Sequence, residues 1–135
     1  MKKLVTVSVL VMVASCALVA SQLSCAQGQR TLTIKVTSAD PNQQISFDAS
    51  YIFRSDNCQL QHVERVTPFE VSAKSEFVTG IFRDKTDSGR MVVQLISSTD
   101  GEPETRGNAG RADIVVLGTS GSGDFPYTIT GFNAK

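Results

Sequence analysis

Between Thr31 and Thr37 the chain alternates polar and apolar residues without a break, as Thr-Leu-Thr-Ile-Lys-Val-Thr. Successive side chains of a β-strand point to opposite faces, so this order buries Leu32, Ile34 and Val36 together and wets the rest, whereas a helix would scatter them around its surface. The same period returns from Ile45 to Phe53, where Phe47, Ala49 and Tyr51 alternate with Ser46, Asp48 and Ser50. After residue 26 no window of eleven or more residues repeats at 3.6, so a helix would have no apolar stripe to bury. The chain is thereby confined to an all-β fold.

Turn chemistry divides the remainder. Ala39-Asp40-Pro41-Asn42 and Arg54-Ser55-Asp56-Asn57 end the first two strands. Cys58 to Val66 reads as a more polar strand, placed at an edge, that ends at Thr67-Pro68; Pro68 fits only a strand start or a bulge. Phe69, Val71 and Ala73 then resume alternation. From Glu76 to Arg83, Phe77 and Ile81 face one way and Val78 and Phe82 the other, the two-sided pattern of a central strand, with Gly80 admitting a close neighbour. Asp84 to Gly89 turns into a strand with Met91, Val93 and Leu95 on one face, and these two strands are expected to be antiparallel neighbours. Asp100-Gly101 is a hairpin signal. The polar stretch to Gly110 reads as a loop, Arg111 to Leu117 as a strand with Ile114 and Val116 inward, Gly118 to Asp124 as a flexible loop, and Tyr127, Ile129 and Phe132 as the last strand.

Seven or eight short strands with frequent turns predict a single immunoglobulin-like antiparallel β-sandwich over residues 27–135. Its expected core is Phe47, Phe53, Phe77, Ile81, Val93, Leu95, Ile114 and Val116. With seven Phe, two Tyr and no Trp, that core must be thin.

Residues 1–26 read as an export signal. Lys2 and Lys3 precede a run from Leu4 to Val13 that is apolar apart from Thr6 and Ser8, followed by small residues to Ala26. Three fates are open. Small residues at Ser24 and Ala26 suit cleavage before Gln27 and release. Val13-Ala14-Ser15-Cys16 resembles a bacterial lipobox, which would lipidate Cys16 and tether the domain. An uncleaved Leu4–Ala20 segment would lie at the short end of what spans a bilayer. Cleavage after Ala26 leaves Cys58 alone in an oxidising compartment, whereas cleavage before Cys16 keeps Cys25 as a partner for it. The location expected is periplasmic or extracellular.

Charge removes several functions. Thirteen basic residues balance thirteen acidic ones, and loss of Lys2 and Lys3 leaves a slight acidic excess. Displacing counterions from nucleic acid needs a basic face, and no Lys/Arg run exceeds a dipeptide. One His and one cysteine beyond the signal fall short of the protein ligands zinc usually takes. Asp84, Asp87 and Gly89 lack the oxygen-ligand alternation of a calcium loop. No cofactor motif is present. His62 is the single histidine, so a histidine-based hydrolase would have to run through it, and no Gly-x-Ser-x-Gly motif accompanies it.

From Ile45 onward the order of features resembles the extracytoplasmic domain of the MmpS family, small accessory proteins of RND-type exporters of the MmpL class. Ile45-Ser46-Phe47 looks like that family's early strand, and Val66-Thr67-Pro68-Phe69 stands where its Leu-Pro-Trp type motif lies. Val92 to Ile96 leading to Asp100-Gly101, and Gly107-Asn108-Ala109-Gly110-Arg111-Ala112, are similar to its later strands. Phe69 replaces the usual Trp, and the paired cysteines of some members are missing. The resemblance implies a β-sandwich that assists a membrane transporter.

The functional expectation is an exported, non-catalytic binding or accessory module whose partner is a membrane transporter or another envelope protein. A self-associating structural envelope protein is the alternative, and a small secreted hydrolase a more distant one. Contact residues are expected on two loops, at Asp100, Glu102, Glu104, Arg106 and Arg111 on the first and Asp124 on the second.

Overall fold

The structure, a computed structural model, describes residues 30–54, 58–86, 88–99, 102–119 and 127–134. The N-terminal segment expected to be a signal, with Cys16, the residues Asp87, Asp100 and Asp124, and most of the glycine-rich loop lie outside the described residues. Nine strands and no helix occur among those described: β1 (Thr31–Ser38), β2 (Ser46–Phe53), β3 (Gln61–Val66), β4 (Phe69–Lys74), β5 (Val78–Asp84), β6 (Met91–Thr99), β7 (Glu102–Ala112), β8 (Ile114–Thr119) and β9 (Tyr127–Phe132). They form a four-stranded sheet in the order β4-β1-β6-β7 and a five-stranded sheet in the order β3-β2-β5-β8-β9. Every pairing is antiparallel. The all-β antiparallel sandwich holds, with nine strands in place of seven or eight.

The core is the set of inward positions that alternation selects. Leu32, Ile34 and Val36 of β1 and Met91, Val93 and Leu95 of β6 meet Phe47, Ala49, Tyr51 and Phe53 of β2. Phe47 meets Phe69 of the opposite sheet edge-on, with ring centroids 5.7 Å apart, and Tyr51 stacks on Phe82 at 6.3 Å. Tyr51 is the register partner of Gly80, where a Cβ would come within 2.7 Å of Tyr51 Cβ, so the close approach expected at Gly80 belongs to this tyrosine.

Four expected core residues sit elsewhere. Phe77 precedes β5 and is half-buried, with the Arg54 guanidinium 5.4 Å from its ring centre. Ile81 and Val116 are exposed and Ile114 is half-buried, because β5 and β8 are phased one residue from the expectation. Val78, Phe82 and Asp84 point inward from β5, and Val115 and Leu117 from β8. Their flanking sequence is apolar on both parities, so alternation alone sets no phase; the register with β2 and β9 does.

The expected pairing of the strands around residues 84–90 is also corrected. β5 pairs with β2 and β8, and β6 with β1 and β7, so this connection crosses between sheets. A buried carboxylate organises the crossing. Asp84 Oδ1 accepts the Thr86 amide and hydroxyl, and Asp84 Oδ2 accepts the Ser88 hydroxyl at 2.7 Å. Burial pushes this carboxyl up, but the side-chain and backbone hydrogen bonds of Thr86 and Ser88 together outweigh it and hold it below its ordinary value. The resulting stability is fully present above the unfolded-state value of about 3.9 and is lost as pH falls through the lower folded value. Urea unfolding is therefore expected to show a loss of stability below about pH 4. Asp84→Asn should flatten that loss and cost about 1–3 kcal/mol at neutral pH. An unchanged pH slope in the variant would contradict this role.

From Glu102 onward, the stretch expected to be a loop up to Arg111 is instead β7. Thr99 pairs with Glu102, and two irregularities follow along the β6–β7 ladder, one between Leu95 and Ile96 and one between Met91 and Val93. Each inserts an extra residue in β7, and bulges of this kind sharpen the twist of an edge strand. β7 thereby turns over the edge of the other sheet and packs against β9. At Gly107 a Cβ would overlap the Ile129 side chain, so glycine permits this closure.

Candidate functional site

The outer face of the five-stranded sheet is where the phase of β5 and β8 has its consequence. Ile81 is the register partner of Val116, and Ile114 of Phe132; Ile114 and Val116 lie two residues apart on one strand. The four side chains form one continuous patch. Ile81 is 43% exposed, Val116 42% and Phe132 53%. An antiparallel sheet with one wet face ordinarily fills it with polar residues, and contiguous exposed apolar side chains mark interaction surfaces. Charged residues border the patch: Asp48 stands opposite Glu64 on one side and Arg83 on the other, and Lys85 Nζ lies 3.3 Å from Glu64.

The same face carries Ser50 and His62. They are register partners on β2 and β3, and Ser50 Oγ lies 2.9 Å from His62 Nδ1. That is hydrogen-bond reach for a nucleophile and a base. Both sit on an open sheet surface, and among the described residues no carboxylate bonds to the His62 ring. Sequence reasoning missed the pair because it depends on strand register, the two lying twelve positions apart in the chain.

The expected contact residues separate in space. Glu102, Glu104 and Arg106 lie on the hairpin half of β7, where Arg106 Nη2 is 2.8 Å from Glu104 Oε2. Arg111 lies at the other end of β7 with a left-handed φ of 57°. There it lines a cavity with Ala39, Asp40 and Arg90. Asp100 and Asp124 lie outside the described residues. The described residues expected on the first of the two loops thus lie at two separate ends of a strand.

At the end of the sandwich that carries the Asp84 loop, Asp113 Oδ2 accepts the Ala134 amide at 2.7 Å while its Oδ1 is buried with no partner among the described residues. Among those residues no group of three or more His, Cys, Asp or Glu side chains is arranged to hold a metal. Near β9, burial pushes the Tyr127 phenol up, against the opposing charges of Arg30 and Arg106. Its hydroxyl donates to the Glu76 carbonyl at 3.2 Å. Cys58, which precedes β3, is disulfide-bonded.

No protein-family model, curated protein or solved structure matches the chain.

Proposed function

We propose that the protein is an exported, non-catalytic docking module of the bacterial cell envelope, held at a membrane, that presents the outer face of its five-stranded sheet to a membrane-protein partner. The observation that carries this reading is the continuous apolar patch of Ile81, Ile114, Val116 and Phe132. The resemblance to the MmpS family names one concrete partner, an RND-type exporter. The partner surface complementary to this face is apolar, with charged groups at its rim that meet Asp48, Glu64 and Arg83.

Self-association through strand edges fits the edges less well. β3 carries His62, Glu64 and Arg65, β4 carries Glu70 and Lys74, and β7 carries two bulges and Pro103. Charges, bulges and prolines are the devices that stop edges from pairing with another copy. A histidine-based hydrolase would have to use Ser50 and His62, which sit on an open sheet surface that leaves the pair in water.

The cysteine count of the chain fits retention at the membrane. Besides Cys58, the only cysteines are Cys16 and Cys25, and cleavage after Ala26 would remove both. Cleavage before Cys16 uses that thiol for the lipid and leaves Cys25 for Cys58. Intact mass of the protein from its own host is expected to show an acylated chain beginning at Cys16 with no free thiol, recovered with membranes. A soluble chain beginning at Gln27 would contradict the tether. Sedimentation over a range of concentrations checks the occupant of the face: a monomer is expected, and a concentration-dependent dimer would assign the patch to a second copy.

A further inference from the structure

We infer that the cavity between Arg90 and Arg111 is a binding site for a carboxylate, separate from the apolar face and independent of what docks there. The cavity measures about 310 Å³ and is lined by Ala39, Asp40, Arg90 and Arg111. Its volume is at the lower limit of small-ligand sites. Ala39 and Asp40 follow β1, and Arg90 precedes β6; the Ala39 amide donates to the Arg90 carbonyl at 2.8 Å, which ties these two segments together at one end of the sheet.

The sequence forces Arg111 into this cavity by an irregular backbone. Met91 pairs with Ala112 and Val93 with Ala109, so Gly110 and Arg111 together stand opposite Val92 as a β-bulge. The left-handed residue of that bulge is the arginine, although a glycine is its immediate neighbour. Bulges re-aim side chains, and a non-glycine residue held at positive φ in a sheet is a place to look for function. Arg111 makes no ion pair or hydrogen bond among the described residues.

Arg90 is oriented from behind. Its Nη1 donates to Gln43 Oε1 at 2.8 Å and lies 3.8 Å from Asp40 Oδ2, while Asp40 Oδ1 is fixed by the Asn42 amide at 3.0 Å. The guanidinium has five donors, so an edge remains for a ligand. Two guanidiniums against one carboxylate leave a single unbalanced positive charge in the cavity. A carboxylate neutralises that charge and matches the planar fork of arginine in a two-point contact.

The test is an NMR titration of the isotope-labelled mature protein, following the Nε–Hε signals of Arg90 and Arg111 and the Ala39 amide. Sodium acetate is compared with sodium chloride at equal ionic strength, and with N-acetylalanine and inorganic phosphate. Acetate is expected to shift all three signals with millimolar saturation, and chloride is expected not to. Arg111→Gln should weaken acetate by about tenfold or more, with Arg90→Gln as a second variant should the bulge not tolerate the first. Asp40→Asn keeps an acceptor for the Asn42 amide and removes the opposing charge, so it should tighten acetate about two- to fivefold. A merely structural role for Asp40 would not produce that gain. Tighter binding of N-acetylalanine than acetate identifies a peptide terminus as the source, and equal binding a free acid. Chloride-like behaviour of acetate, undiminished binding in both arginine variants, or tighter binding of phosphate than of acetate overturns the assignment.

Discussion

Leu117→Asp is expected to unfold the domain, while Val116→Asp, one residue away on the same strand, leaves it folded. Leu117 is fully buried between the sheets and Val116 is 42% exposed on the outer face. A carboxylate at position 117 would have no partner in an apolar interior, at a cost of about 3–5 kcal/mol or more, against a total stability of about 5–15 kcal/mol for a domain of ordinary size. At position 116 the new charge stays in water, and only the poor strand propensity of Asp is lost, about 1 kcal/mol. Thermal melts of the two variants read the difference directly. The reverse order would mean that β8 is phased as alternation through Ile114 and Val116 would have it.

Loss of partner binding with the fold intact is the second large effect. Ile81→Asp combined with Val116→Asp places two carboxylates at directly opposed register positions in the middle of the apolar patch. Like charges facing each other across strands destabilise by up to about 1 kcal/mol, which a folded domain tolerates. At an interface, the same groups must be desolvated against an apolar partner surface. Truncating or charging a central contact of this kind costs about 2–4 kcal/mol, a thirtyfold or greater loss of affinity. Lys74→Ala on the edge strand β4 of the other sheet is expected to leave partner recovery unchanged, as measured by co-purification from solubilised membranes. Equal loss in both variants would remove the outer face from the account.

How far the sequence predicts this fold depends on whether each strand has one apolar face or two. β1 and β2 alternate most cleanly, so their positions and buried faces were legible. β5 and β8 are apolar on both parities, and in each the true inward set includes or adjoins a buried aspartate, Asp84 or Asp113, which reads as surface. Asp84 is inside because a backbone amide and two hydroxyls satisfy it, and Asp113 accepts the Ala134 amide through one oxygen; such partners appear only after folding. β7 was invisible for another reason. It is an edge strand whose inner contacts come from small residues such as Gly107, Ala109 and Ala112, so it offers no hydrophobic period to read.

The candidate sites follow the same rule. Arg111 stands in the polar stretch that reads from sequence as a solvated contact loop. Its companions Arg90 and Asp40 were not legible as contact residues, since strand pairing and the bulge opposite Val92 bring them together. The apolar patch is the least legible feature. Three of its four residues, Ile81, Ile114 and Val116, read as core in isolation, and only the register of β5, β8 and β9 places them on the outside beside Phe132.

The most direct test of the docking reading places a photo-crosslinking amino acid at Val116 and, separately, at Glu70 of β4, in the protein expressed in its own host. The account predicts a single heavier adduct with a membrane protein from position 116 and none from position 70. Adducts of equal strength from both positions, or an adduct from position 116 with the mass of two copies of this chain, would contradict it.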